Sequence, residues 1–439
     1  MEAILYRLSF RVRTSEAQTL IHRPLSPIAL FVAFAPVLTP GPSAASDRTE
    51  QARLTLPGAV QAQRQLGEAV VLRGASVTTD MRHAAGDFAM TWERGARHDW
   101  THVDSNLTDG SSHAFASHGS HRAWLERPLG STVRISDWVT DEILVPEFGG
   151  TARAIALGPD VMAVGYSPTT PQGWVDIFRY QGGAWVFEQN LQGGSFTGFG
   201  SSLAFNDAGT LLAVGAPSSG FFGDDNGEVR VYADQPAGWV LVQTVEPPAV
   251  FDQQTNAGFG FSIDIVGPWL AVGAPWADRQ TAGQPQVDVG YVFIYEAVFL
   301  YGLHRSFFGG PGDRLGTSLA MARKTDGSYL LAAGAPYDSF WRGGADHGAI
   351  ATYRWTRDSD EWAAGDRLLD SQAGTDDNLG TAVATDGTWI IAGVPSVDLL
   401  DGQGVLRANA GAVLVFLDDR IFGDGWESGN TSWWSSTSP

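Results

Sequence analysis

The sequence predicts an all-β chain folded as a seven-bladed β-propeller of four-stranded antiparallel blades, with the N-terminal strand closing the last blade. Three observations predict it. The first is composition: 53 Gly, 22 Pro and only 17% charged residues among 439 suit short strands and tight turns. No helical period of apolar residues appears after the N-terminal region. The second is a pair of short motifs, Phe-Gly and Val-Gly-Ala-Pro, that return together about every 60 residues. The third is a Gly-led alternating strand that occurs seven times.

The paired motifs are clearest at Phe199-Gly200 with Ala213-Val214-Gly215-Ala216-Pro217, and at Phe259-Gly260 with Ala271-Val272-Gly273-Ala274-Pro275. Weaker copies are Leu315-Gly316 with Ala333-Gly334-Ala335-Pro336, and Leu379-Gly380 with Ala392-Gly393-Val394-Pro395. The Gly-led strands open at Gly86, Gly130, Gly173, Gly227, Gly290, Gly348 and Gly411. In five units a Trp follows (Trp100, Trp138, Trp185, Trp239 and Trp362), placed to pack between adjacent sheets from the far side of a hairpin. Each unit therefore supplies four strands, and such sheets repeated radially make a propeller. The last unit lacks a fourth strand. Arg53-Leu54-Thr55-Leu56-Pro57, leading to Leu66-Gly67, supplies it from the other end of the chain, which removes two free sheet edges.

Residues 1–45 read as a signal peptide. Arg7, Arg11, Arg13, His22 and Arg23 form a basic start, Ile28 to Leu38 a short apolar stretch, and Ser43-Ala44-Ala45 a small-residue cleavage site. The propeller spans 48–419 and a polar C-terminal tail 420–439. The expected location is secreted or cell envelope, without membrane insertion. A net charge of −20 argues against nucleic acid, whose phosphates demand clustered Lys and Arg. The absence of Cys excludes disulfides and thiol chemistry.

Phe-Gly-x-Ser-[Leu/Ile], followed by Ala-Val-Gly-Ala-Pro and Gly-x-Val-x-Val, resembles the FG-GAP repeat family, best known from the seven-bladed head of integrin alpha subunits. The likeness is specific over 199–417, extends to Phe148-Gly149, and rests on strand pattern alone over 52–146. Integrin-type repeats often carry an Asp-x-Asp-x-Asp-Gly calcium loop. Here the corresponding turns read Asn206-Asp207-Ala208-Gly209, Thr325-Asp326-Gly327 and Thr385-Asp386-Gly387, with too few carboxylates for a cage. No metal and no cofactor are expected, and the likeness is closest to exported bacterial members without calcium loops.

No residue stands out as catalytic. His118 and His121 have the spacing of a zinc pair but sit in a polar strand-and-turn region. No nucleophile elbow is present, Gly309-Gly310-Pro311-Gly312 opens no helix, and pairs such as Asp224-Asp225 and Asp376-Asp377 lie in turns. The connections after Gly-Ala-Pro should all emerge on one face of the ring. They carry aromatics beside carboxylates, and the candidate ligand-binding residues are Phe222, Asp225, Trp276, Asp278, Tyr337 and Trp341. The reading is a monomeric exported binding or adhesion module that recognises a protein or glycan. The alternatives are a secreted glycan-active hydrolase or lyase, and a structural surface-display module.

Overall fold

Each of the seven Gly-led alternations forms the third strand of a four-stranded antiparallel sheet, and the strands on either side follow in chain order. A computed structural model of the chain describes residues 52–55, 66–81, 87–95, 100–108, 114–118, 121–126, 132–136, 141–144, 151–167, 172–195, 198–217, 227–248, 257–279, 286–297, 300–339, 347–372, 374, 376–400 and 406–418. No helix occurs among them. Blade 1 comprises strands Leu66–Arg73, Ser76–Met81, Asp87–Arg94 and Trp100–Thr108. Blade 2 runs Phe115–His118, His121–Glu126, Thr132–Ser136 and Asp141–Leu144; blade 3 runs Thr151–Leu157, Val161–Ser167, Gln172–Gln181 and Ala184–Ser195. Blade 4 runs Ser202–Phe205, Leu211–Ala216, Glu228–Gln235 and Gly238–Val245; blade 5 runs Ser262–Val266, Trp269–Ala274, Tyr291–Ala297 and Tyr301–Phe308. Blade 6 runs Ser318–Arg323, Tyr329–Ala335, Ala349–Thr356 and Glu361–Leu368. Blade 7 takes Val383–Thr385, Trp389–Val394 and Ala412–Leu417 from the C-terminal region, and Ala52–Leu54 from the N-terminal region.

The first strands of successive blades touch one another all the way round, including blade 7 with blade 1, so they line the centre of a closed seven-bladed ring. Closure is by pairing: Ala52, Arg53 and Leu54 lie opposite Val415, Leu414 and Val413. The Arg53 guanidinium also binds the buried carboxylate of Asp370, across the seam between blades 6 and 7.

The repeated motifs turn out to be a joint. At the seam between blades 4 and 5, Phe259 is 1% exposed or less and packs on Val229, Val231 and Val245 of the preceding blade. Gly260, with φ of 90°, adopts a backbone that favours glycine. Its carbonyl oxygen faces Gly215 so closely that a Cβ there would collide with it, and a Cβ on Gly227 would strike the carbonyl of Phe259. Ser202 Oγ donates to the Gly260 carbonyl at 2.6 Å, while the Gly260 N–H donates to Gly273 of its own blade at 3.0 Å. The same close approaches recur at the next seams through Gly316, Gly380 and Gly67. One motif set thus locks the seams from blade 3 round to blade 1. Phe-Gly is the turn that enters the first strand, which itself begins two residues later at Ser202 and Ser262.

Trp185, Trp239 and Trp362 are buried in the fourth strands of their blades and join the inter-blade clusters, as their spacing predicts. Trp100 packs edge-on against Trp389 across the closing seam, and Trp138 lies outside the described residues. Two glutamines add a clamp on the outer strands. Gln189 exchanges two hydrogen bonds with the backbone of Trp239 (2.7 and 3.0 Å), and Gln243 does the same with Tyr301 (2.7 and 2.8 Å). These satisfy backbone groups on strands that no sheet neighbour covers.

Candidate functional site

Antiparallel order puts the connections between second and third strands on one face of the ring, and the tight first-to-second hairpins on the other. On that opposite face the turn carboxylates are used locally. Asp326 accepts from the N–H and Oγ of Ser328 (2.8 and 2.6 Å), and Asp386 from the N–H groups of Thr388 and Trp389 (2.8 and 2.7 Å). Asn206 Oδ1 serves Thr210 and Leu211 in the same way (2.8 and 2.9 Å). These are Asx-type turns, with a left-handed glycine at Gly209, Gly327 and Gly387.

On the first face, blades 5 and 6 carry the described part of the predicted site. Trp276 follows the Gly273-Ala274-Pro275 end of a strand, donates its N–H to the Ala257 carbonyl (3.2 Å) and is 36% exposed. Its ring lies against Gly258, where a Cβ would run into it, and meets Phe261 edge-on with centroids 4.8 Å apart. Asp278 is half-buried. Its Oδ1 accepts the Asp288 N–H at 2.9 Å and pins the two ends of the connection together, beside the Arg279–Gln286 bridge.

Asp288 then reaches blade 6. Its Oδ2 pairs with Arg314 at 3.1 Å, and the Arg314 guanidinium lies 4.5 Å from the ring centroid of Tyr337, which is 38% exposed. Asp278 and Tyr337 are therefore linked across two blades through Asp288 and Arg314. Neither linking residue was predicted from sequence; Arg314 and Asp288 both have positive φ (54° and 49°), a strained backbone for these types. Phe222, Asp225 and Trp341 lie outside the described residues.

Next to Tyr337 in the chain, Asp338 is 3% exposed and sits where blades 5 and 7 have the buried apolar residues Ala277 and Val397. It pairs with Arg367, which also lies 3.5 Å from the buried Asp313. Burial pulls the Arg367 guanidinium below its usual range, against the opposing pull of Asp313. Burial likewise raises the Tyr291 hydroxyl on blade 5, opposed by nearby Arg279.

The other chemical candidates are spent on packing or turns. His118 and His121 face each other across a tight hairpin, and the His121 ring packs edge-on against Tyr180 and Trp185 at 4.9 and 5.6 Å. Asp377 is buried, accepts the Gly374 N–H, and has its carboxyl raised chiefly by that burial. Gly309-Gly310-Pro311-Gly312 forms a turn closed by Asp313, whose Oδ2 accepts the Gly310 N–H at 2.6 Å.

No protein-family model matches the chain, and no curated protein matches it.

Proposed function

We propose that this chain is an exported binding or adhesion module that recognises a protein or glycan through the face carrying the second-to-third-strand connections. One observation carries the reading: among the described residues, Trp276 and Tyr337 are the exposed large aromatics on that face, and fixed partners hold them both. A rigid aromatic with an open side loses little entropy when it meets a ligand. The rest of the ring is a scaffold that holds these connections in place.

The repeat itself is best read as a variant of the FG-GAP type. Its glycines and serine perform inter-blade locking, and its hairpin turns cap themselves where integrin-type repeats carry calcium. Export rests on the basic, then apolar, then small-residue order of the first 45 residues.

The test is a binding screen of the mature protein against purified extracellular proteins and a glycan array. Trp276→Ala/Tyr337→Ala should abolish capture of any hit while the melting curve is kept. Hits that bind the double variant as well as the native protein would show that another surface is used.

A further inference from the structure

Blade 5 departs from blades 4, 6 and 7 at one position of the repeat, where blade 1 also departs with Glu68. The residue after the Phe-Gly glycine is Ser201 in blade 4, Thr317 in blade 6 and Thr381 in blade 7. Each hydroxyl caps the entry turn by donating to the carbonyl three residues earlier, Thr317 to Arg314 at 2.7 Å and Thr381 to Asn378 at 2.8 Å. In blade 5 the position is Phe261, which retains only the backbone bond to Gly258 at 3.0 Å. The cap has been exchanged for a half-buried aromatic ring whose contact is Trp276. Such departures from a locally consistent pattern are expected at functional positions.

Resting on the face reading above, we infer that Phe261, Trp276 and Tyr337 form a shelf for a neutral pyranose residue of a polysaccharide. Trp276 is backed by the Gly258 backbone and Phe261, and Tyr337 by the Arg314 guanidinium. Each ring is thus held on one side by the protein while keeping about a third of its surface open (36% and 38%). The face of an aromatic ring is negative, and one face of a pyranose presents only C–H groups with partial positive charge, so the two stack. The Asp288–Arg314 pair beside Tyr337 offers fixed polar atoms to the sugar hydroxyls. An extended peptide would instead seek a free sheet edge, and the free edges here run along the outer rim. Acidic sugars are disfavoured by the net charge of −20, while at the shelf itself Asp288 is balanced by Arg314.

The experiment is calorimetric titration of the full mature protein with gluco-, manno-, galacto-, xylo- and chito-hexaose, with oligogalacturonate as the acidic probe. At least one neutral hexaose should bind. Trp276→Ala should weaken it about tenfold or more, Trp276→Phe should retain most of the affinity, and Phe261→Thr, which restores the hydroxyl cap, should weaken it while the melting temperature holds or rises. Binding of no neutral hexaose, equal binding of oligogalacturonate, or binding indifferent to Trp276→Ala overturns the sugar assignment. If the hexaoses fail while a purified protein still binds through Trp276 and Tyr337, only the sugar class falls. If nothing binds through these rings, the face reading falls with it.

Discussion

Replacing Arg53 with Ala is expected to destabilise the ring by about 4 kcal/mol, because it leaves a buried carboxylate without its partner. The Asp370 side chain is fully buried and that of Arg53 keeps 13% exposure, so little water is at hand to replace the guanidinium. Asp370 would retain the N–H of Gln372 at 2.7 Å, which offsets part of the loss. Against that, Arg53 also lowers the Asp377 carboxyl, which burial and Asp370 raise, so its removal sets two carboxylates against each other. The loss should be largest at neutral pH. The Asp377 carboxyl, raised chiefly by burial, takes up its proton before that of the unfolded chain, so the deficit shrinks as pH falls below neutral. Denaturant melts of native, Arg53→Ala and Arg53→Met/Asp370→Leu proteins over this pH range measure it. The double variant, having no buried charge left at this pair, should recover most of the stability. A single variant within about 1 kcal/mol of native, or a double variant as unstable as the single, would refute the closure argument.

Two further outcomes follow from the seams between blades. Gly273→Ala forces a Cβ against the Gly316 carbonyl and Ser262 Oγ and should cost about 2–3 kcal/mol in thermal melts, whereas Gly302→Ala, with nothing near its Cβ, should be neutral or slightly stabilising. Asp264 receives the N–H of Met321 from blade 6 at 2.7 Å; burial, aided by nearby Asp207, raises its carboxyl from 3.8 to about 6. Its native form binds the proton first, so stability should rise by up to about 3 kcal/mol as pH falls from 7 toward 4. Asp264→Asn should flatten that slope in melting temperature against pH; an unchanged slope would assign it to other groups.

The fold was legible because its signals are local and repeated. Seven glycines each open a third strand, and Leu66-Gly67 could be matched to Phe259-Gly260 from sequence alone. The purpose of the glycines was not legible, since Gly215 meets Gly260 only once neighbouring blades stand side by side. The site followed the same division. Trp276 and Tyr337 could be assigned to one face from sequence because strand order places their connections there. Arg314 and Asp288 were missed because their pairing spans two blades and 26 residues. The bond from the Asp288 N–H to Asp278 Oδ1 spans ten residues and has no signal in the sequence pattern. Asp264 lies in a first strand, where blades 4, 6 and 7 carry Ala204, Ala320 and Ala384.

Hydrogen-exchange protection on adding a ligand that the native protein binds tests the central claim most directly, because it reports which face is covered. The account predicts slowed exchange over residues 257–262, 275–279, 286–290 and 336–339 of blades 5 and 6. Protection confined to the opposite hairpins at 206–210, 325–328 and 385–388, with the aromatic face unchanged, would contradict it.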